Sequence, residues 1–198
     1  MYEWRRMTNR ERHDALKSRR DSRNPHHAPP RFGTEPGRYL ATAACFEHRP
    51  HIVFSDERME NFSRSLLQTA REAGMEIHAW VVLPNHYHLL AGCSDPLQIR
   101  RVLGRLHGRT SRAWNLEEGS TGRQVWRQSM ERPLQSDAHF FATLNYIHHN
   151  PVKHGLCRRW LDWKWSSAAE YLGSIGSGEA KRRWKEFPIG DYGKKWDP

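Results

Sequence analysis

Apolar positions recur along this chain with two periods, and the changes from one to the other mark its elements. Tyr39-Leu40-Ala41-Thr42-Ala43-Ala44-Cys45 reads as a strand, weakened by its alanines. From about Asp56 to Glu72 the spacing changes to three and four: Met59, Phe62, Leu66, Thr69 and Ala70 form one buried helical face, and Gly74 stops it. Period two returns at Glu76–Leu83, where Ile77, Ala79, Val81 and Leu83 alternate with His78, Trp80 and Val82. Past His78 the far side is also apolar, which predicts a central strand covered on both faces. Pro84-Asn85 turns the chain into a second strand, His86 to about Gly92. A long helix is predicted from about Pro96 to Asn115, with Ile99, Val102, Leu103, Leu106, Thr110 and Ala113 as its apolar stripe. A short strand near Gln124–Gln128 and a helix from about Asp137 to Asn150, ended by Pro151, complete the core.

Strand, helix, strand, strand, helix, strand, helix is the order of an α+β, ferredoxin-like domain: a four-stranded antiparallel sheet with helices on one face. It occupies residues 38–151. Residues 1–37 read as a basic arm that Asn24-Pro25-His26-His27-Ala28-Pro29-Pro30 keeps out of any helix. Residues 152–198 form an extension in which Trp160, Trp163, Trp165, Trp184 and Trp196 are interleaved with Lys164 and Lys181-Arg182-Arg183. That pattern suits either packing on the core or stacking on unpaired bases.

Charge narrows the partner. The 198 residues carry a formal +10 with pI near 9.9 and a mean hydropathy of −0.90, which favours a polyanion, nucleic acid first. On the long helix, Arg101, Arg105, Arg109 and Arg112 form a stripe with no acidic residue to offset it. Cys45, Cys93 and Cys157 are too few and too scattered for a disulfide framework or a thiolate site. No apolar run reaches membrane-span length and the first residues lack a secretory signal, so the expectation is a cytoplasmic, nucleoid-associated protein with no membrane partner.

Two sets of residues carry chemistry. Residues i and i+2 of a strand share a face, so His86 and His88 can converge on one cation. In the last core helix, Phe140, Leu144 and Ile147 fall on the core face, while Tyr146 lies on another face with His149 and Asn150 three and four residues beyond it. A cation between imidazoles would polarise a phosphate for attack by a phenol, giving a phosphotyrosine linkage and a released hydroxyl. The linkage conserves the bond, so a second strand can be joined without ATP.

These residues resemble the REP-associated tyrosine transposases, a branch of the single-strand transposases with a His-hydrophobic-His motif. The matching segments are Leu83-Pro84-Asn85-His86-Tyr87-His88-Leu89-Leu90, Arg132 to Phe140, Leu144 to Leu156 and Trp163 to Ala168. The resemblance implies a ferredoxin-like fold, a magnesium or manganese cofactor, and a substrate of single-stranded DNA beside short palindromic hairpins. It implies His86 and His88 as metal ligands, Tyr146 as nucleophile, and Asn150 as the third ligand with His149 in reserve. Tyr87 is bulkier than the usual aliphatic residue, but it faces away from the metal. Lys153 joins the arginine stripe as a DNA-contact candidate. The expected protein is a metal-dependent single-strand endonuclease and strand-transferase, monomeric or dimeric; the alternative is a domesticated hairpin-binding protein with a structural or regulatory role.

Replacing two arginines of the stripe with alanine is expected to flatten the dependence of log affinity for a DNA hairpin on log salt, by about 0.9 for each phosphate no longer neutralised. Binding titrations across a salt series measure it, and an unchanged slope assigns that face to solvent.

Overall fold

The computed structural model describes residues 36–190 and Tyr192. The arm expected at residues 1–37 lies almost wholly outside the described residues, as does Trp196. Along the chain run β1 (Gly37–Ala44), α1 (Asp56–Glu72), β2 (Glu76–Val82), β3 (His86–Cys93), α2 (Pro96–Glu117), β4 (Met130–Pro133), α3 (Asp137–Lys153) and α4 (Ala168–Glu186). The strands form one antiparallel sheet in the order β2-β3-β1-β4, so the α+β expectation holds. The first six of these elements form a β-α-β-β-α-β unit.

The strand period divides the core in two. Tyr87, Leu89, Ala91 and Cys93 of β3 join Tyr39, Ala41 and Ala43 of β1 on one face, against Met59, Phe62 and Leu66 of α1 and Ile99, Leu103 and Leu106 of α2. On the other face Leu40, Ala79, Val81, Leu83 and Leu90 meet Leu144, Tyr146 and Ile147 of α3. Helices therefore cover both faces, not the one face the element order suggested. The reason is composition: the reverse face of β2 and β3 is itself apolar, and α3 supplies its cover.

Four local readings are corrected. The residues near Trp126 make only an isolated bridge to Cys45, and the fourth strand lies later, at Met130–Pro133. A bulge between Ile77 and Ala79 changes the strand's facing, so Ile77 packs with the α1/α2 core while Ala79 and Val81 face α3. In α2 the stripe ends on buried Trp114 and leaves Ala113 exposed. Helix α3 continues through Pro151 to Lys153, so Asn150 keeps helical register with Tyr146. Proline removes one backbone donor here, and the flanking packing carries the helix past it.

The C-terminal part is structured as well. Val82 N donates to Trp165 O at 2.9 Å and Ser167 N to Trp80 O at 3.0 Å, so the segment before α4 seals the open edge of β2. Trp163 Nε1 donates to Val82 O at 2.9 Å, and His148 Nε2 lies 2.9 Å from Ser167 Oγ. These tryptophans pin the extension to the sheet. Arg182 and Arg183 of the basic cluster bind Glu179 at 2.7 and 2.6 Å, which removes much of their pull on an external anion. No helix among the described residues is long and apolar enough to cross a membrane.

Behind β3, Tyr87 Oη lies 3.0 Å from His107 Nε2, and the His107 ring stacks at 4.5 Å on Trp126. Burial pushes His107 down to about 4. A depressed histidine leaves the folded state neutral where the unfolded chain, near 6.5, takes a proton, so stability is full above pH 6.5 and falls as pH drops toward 4. His148, pushed by burial to about 3, adds to the loss. Denaturant midpoints measured from pH 7 to pH 4 should fall, by up to about 1.4 kcal/mol per pH unit for each such group. His107→Gln should shallow that dependence.

Candidate active site

Strand β3 presents His86 and His88 on the α3 side of the sheet, 4% and 0% exposed. Their ring centroids are 5.1 Å apart at 80°. Each ring is held from behind. His86 Nδ1 lies 2.7 Å from Asn85 Oδ1. His88 Nδ1 lies 2.8 Å from Oγ1 of Thr42, its partner in register on β1.

Helix α3 starts at Ser136, whose side chain accepts from His139 N. Ten residues later Tyr146 points at the sheet, 1% exposed, and its Oη lies 3.5 Å from His88 Nε2. The sequence placed Tyr146 on a face apart from the core. Instead its ring belongs to the α3-side core and only the hydroxyl end is polar in surroundings, because α3 is covered by the sheet on one side and by the C-terminal part on another. Lys153 places its ammonium 5.2 Å from the Tyr146 ring centroid, so this DNA-contact candidate sits over the phenol. Tyr192 packs its ring 5.4 Å from Tyr146 and ties its hydroxyl to Thr143 Oγ1 and His139 Nε2. Burial pushes the Tyr192 phenol up.

Asn150, one turn beyond Tyr146, is 0% exposed, and among the described residues neither its Oδ1 nor its Nδ2 has a hydrogen-bond partner. An unsatisfied buried amide costs roughly 1–3 kcal/mol, so it calls for a reason. His149, the reserve ligand, is not brought to the histidine pair: its ring packs 5.3 Å from Trp184. His154 is brought there, its ring centroid 5.1 Å from that of His86. Sequence reading missed His154, although Tyr146, Asn150 and His154 are spaced four apart on one helical line. Among the described residues no group of three or more His, Cys, Asp or Glu is placed to hold a metal. A cation here would take its third protein donor from the Asn150 amide.

The arginine stripe lies elsewhere. Arg101, Arg105, Arg109 and Arg112 are exposed on α2, on the side of the sheet opposite the histidines. Arg109 donates to Thr69 Oγ1 at 3.3 Å, and with Arg105 it lines a cavity of about 240 Å³ between α1 and α2. Among the described residues none of the four forms a salt bridge.

A family model described as "Transposase IS200 like" matches residues 41–150, more than half of the chain. The chain belongs to the IS200-like transposase family. The match runs from β1 through most of α3, so His86, His88, Tyr146 and Asn150 fall inside it and Lys153, His154 and Tyr192 outside. The REP-associated tyrosine transposase of Escherichia coli (strain K12) is 24% identical over 142 residues, 69% of this chain and 79% of that protein. A solved structure of a REP-associated tyrosine transposase bound to a REP hairpin superposes with a TM-score of 0.57 at 20% identity, covering 73% of this chain and 84% of that one. At that identity the superposition speaks for the fold, and it places this IS200-like chain on the same architecture.

The stranded Asn150 amide gives a stability test. Asn150→Leu, nearly isosteric and apolar, is expected to raise the denaturant midpoint in chelator, by about 1 kcal/mol of stability. A lower midpoint would mean that the amide is satisfied in solution.

Proposed function

We propose that this IS200-like transposase is a metal-dependent single-strand DNA endonuclease and strand-transferase. Its substrate would be the single strand flanking a short palindromic hairpin. The observation that carries the reading is the approach of Tyr146 Oη to 3.5 Å from His88 Nε2. One turn further along α3 lies the buried amide of Asn150, with no hydrogen-bond partner among the described residues. A phenol buried for packing alone has no need of an imidazole at its hydroxyl and a stranded amide one turn along its helix.

His86, His88 and Asn150 are the proposed ligands, two imidazoles and one carbonyl-type oxygen, a donor set compatible with Mg²⁺ or Mn²⁺. When bound, the ion would polarise the scissile phosphate and neutralise its developing charge. The chain's own residues do the rest. Tyr146 Oη forms a bond to phosphorus as the bond to the leaving oxygen breaks; the phenol gives up its proton and the leaving strand ends as a hydroxyl. The Lys153 ammonium over the ring favours the phenolate and offers a contact to the adjoining phosphate. Reversal with a different hydroxyl joins new strands. The E. coli relative is named a REP-associated tyrosine transposase, and a solved relative is bound to a REP hairpin; both support a hairpin partner here.

Arg101, Arg105, Arg109 and Arg112 are the proposed contacts to the duplex stem. Their lack of carboxylate partners among the described residues supports that role. They and Tyr146 lie on opposite sides of the sheet, so stem and cleaved strand would occupy different faces.

Incubating the protein with Mn²⁺ and hairpin-flanking single strands should give a covalent protein–DNA adduct resistant to denaturant. Tyr146→Phe should abolish adduct and cleavage while leaving hairpin affinity within about twofold, since one hydroxyl remote from the stem contributes little to phosphate binding. A variant that still cuts would remove Tyr146 from the chemistry.

A further inference from the structure

Asn85 immediately precedes the histidine pair, and its surroundings leave its amide one orientation. Cys45 N donates to Asn85 O at 2.7 Å, and Asn85 Nδ2 donates to the carbonyl of His48 at 3.1 Å. That carbonyl is presented by an unusual loop, in which Glu47 and His48 both have φ of 55°, a region L residues rarely adopt. With the amide nitrogen committed to His48, Oδ1 is the atom that faces His86 Nδ1 at 2.7 Å. An amide oxygen can only accept, so His86 Nδ1 must carry the proton and the lone pair of the neutral ring sits on Nε2.

The second ring is treated alike from another strand. Thr42 stands directly across from His88 in the β1–β3 register, with Oγ1 2.8 Å from Nδ1. Tyr146 Oη lies toward Nε2 of the same ring. Both hydroxyls can donate or accept, so these two contacts by themselves fit either tautomer; the reading that His88 holds a cation through Nε2 selects Thr42 accepting from Nδ1–H, the tautomer of His86.

We infer that Asn85 and Thr42 are positioning residues that lock His86 and His88 as Nδ1–H tautomers, so that both Nε2 lone pairs are turned to the same ligand. The inference rests on the reading that the two imidazoles hold a cation. An imidazole ligand needs its far nitrogen engaged to fix its tautomer and ring angle. Here a carboxamide and a hydroxyl take that part, each anchored in backbone structure independent of α3.

Long-range ¹H–¹⁵N spectra of the metal-free protein, labelled at histidine, read the tautomers directly, with His86→Ala and His88→Ala identifying the two rings. Both rings should show protonated Nδ1 and bare Nε2. Asn85→Leu and Thr42→Val should shift His86 and His88, respectively, to mixed tautomers and raise the Mn²⁺ dissociation constant by roughly 10–100-fold in calorimetric titration. Asn85→Asp loses the bond to His48 but keeps an acceptor against Nδ1, and Thr42→Ser keeps the hydroxyl, so both should retain tautomer and affinity. Unchanged tautomers in Asn85→Leu and Thr42→Val, or equal losses in the conservative pair, would overturn the assignment. Wild-type tautomers as described in a protein that binds no Mn²⁺ would instead sink the metal reading, because the lock is read without metal.

Discussion

Because successive residues of β3 point to opposite faces of the sheet, three neighbours are divided between two different tasks. His86 and His88 face α3, and Tyr87 between them enters the α1/α2 core, where its hydroxyl meets His107. A slip of one residue in the β1–β3 pairing would bury both imidazoles among Phe62 and Leu66 and turn Tyr87 toward Tyr146. The register is held by apolar pairs on both sides, Ala41 with Leu89 and Leu40 with Leu90, so packing of the whole sheet holds the geometry of the histidines.

Burial on both faces gives the site its character. Polar groups at the hydroxyl end of Tyr146 sit in a cover of Leu40, Val81, Leu83, Leu90 and Ile147, where charge is poorly screened and hydrogen bonds are strong. Among the described residues the Asn150 amide has no hydrogen-bond partner, a destabilising arrangement that packing alone would not retain. Such local costs are characteristic of positions kept for chemistry.

The sheet also separates two kinds of surface. On one side lie imidazoles, a phenol and one lysine; on the other, a helix carries four arginines that form no salt bridge among the described residues. In the proposed function one domain would hold a duplex by its charge and a single strand by its chemistry, with β1 and β3 between them. The segment that closes the β2 edge, from Trp163 to Ser167, leaves no open strand on that side.

Much of this was legible in the residues. Period two over 86–90 placed the histidines together, the three-and-four spacing of Met59, Phe62, Leu66 and Ala70 located α1, and the segment from Leu144 to Leu156 pointed to the family. These are local signals, written in spacing along one element. What the sequence could not carry was anything that depends on which elements meet: that α3 covers the reverse face, that Tyr146 is therefore buried, that His149 turns to Trp184 while His154 turns to His86. Pro151 argued for a helix end, and tertiary packing overrode it. Thr42 and Asn85 come from different strands and turns, and only register brings them behind the two rings. A strand or helix fixes which way its own side chains point, whereas their neighbours are decided when the layers close.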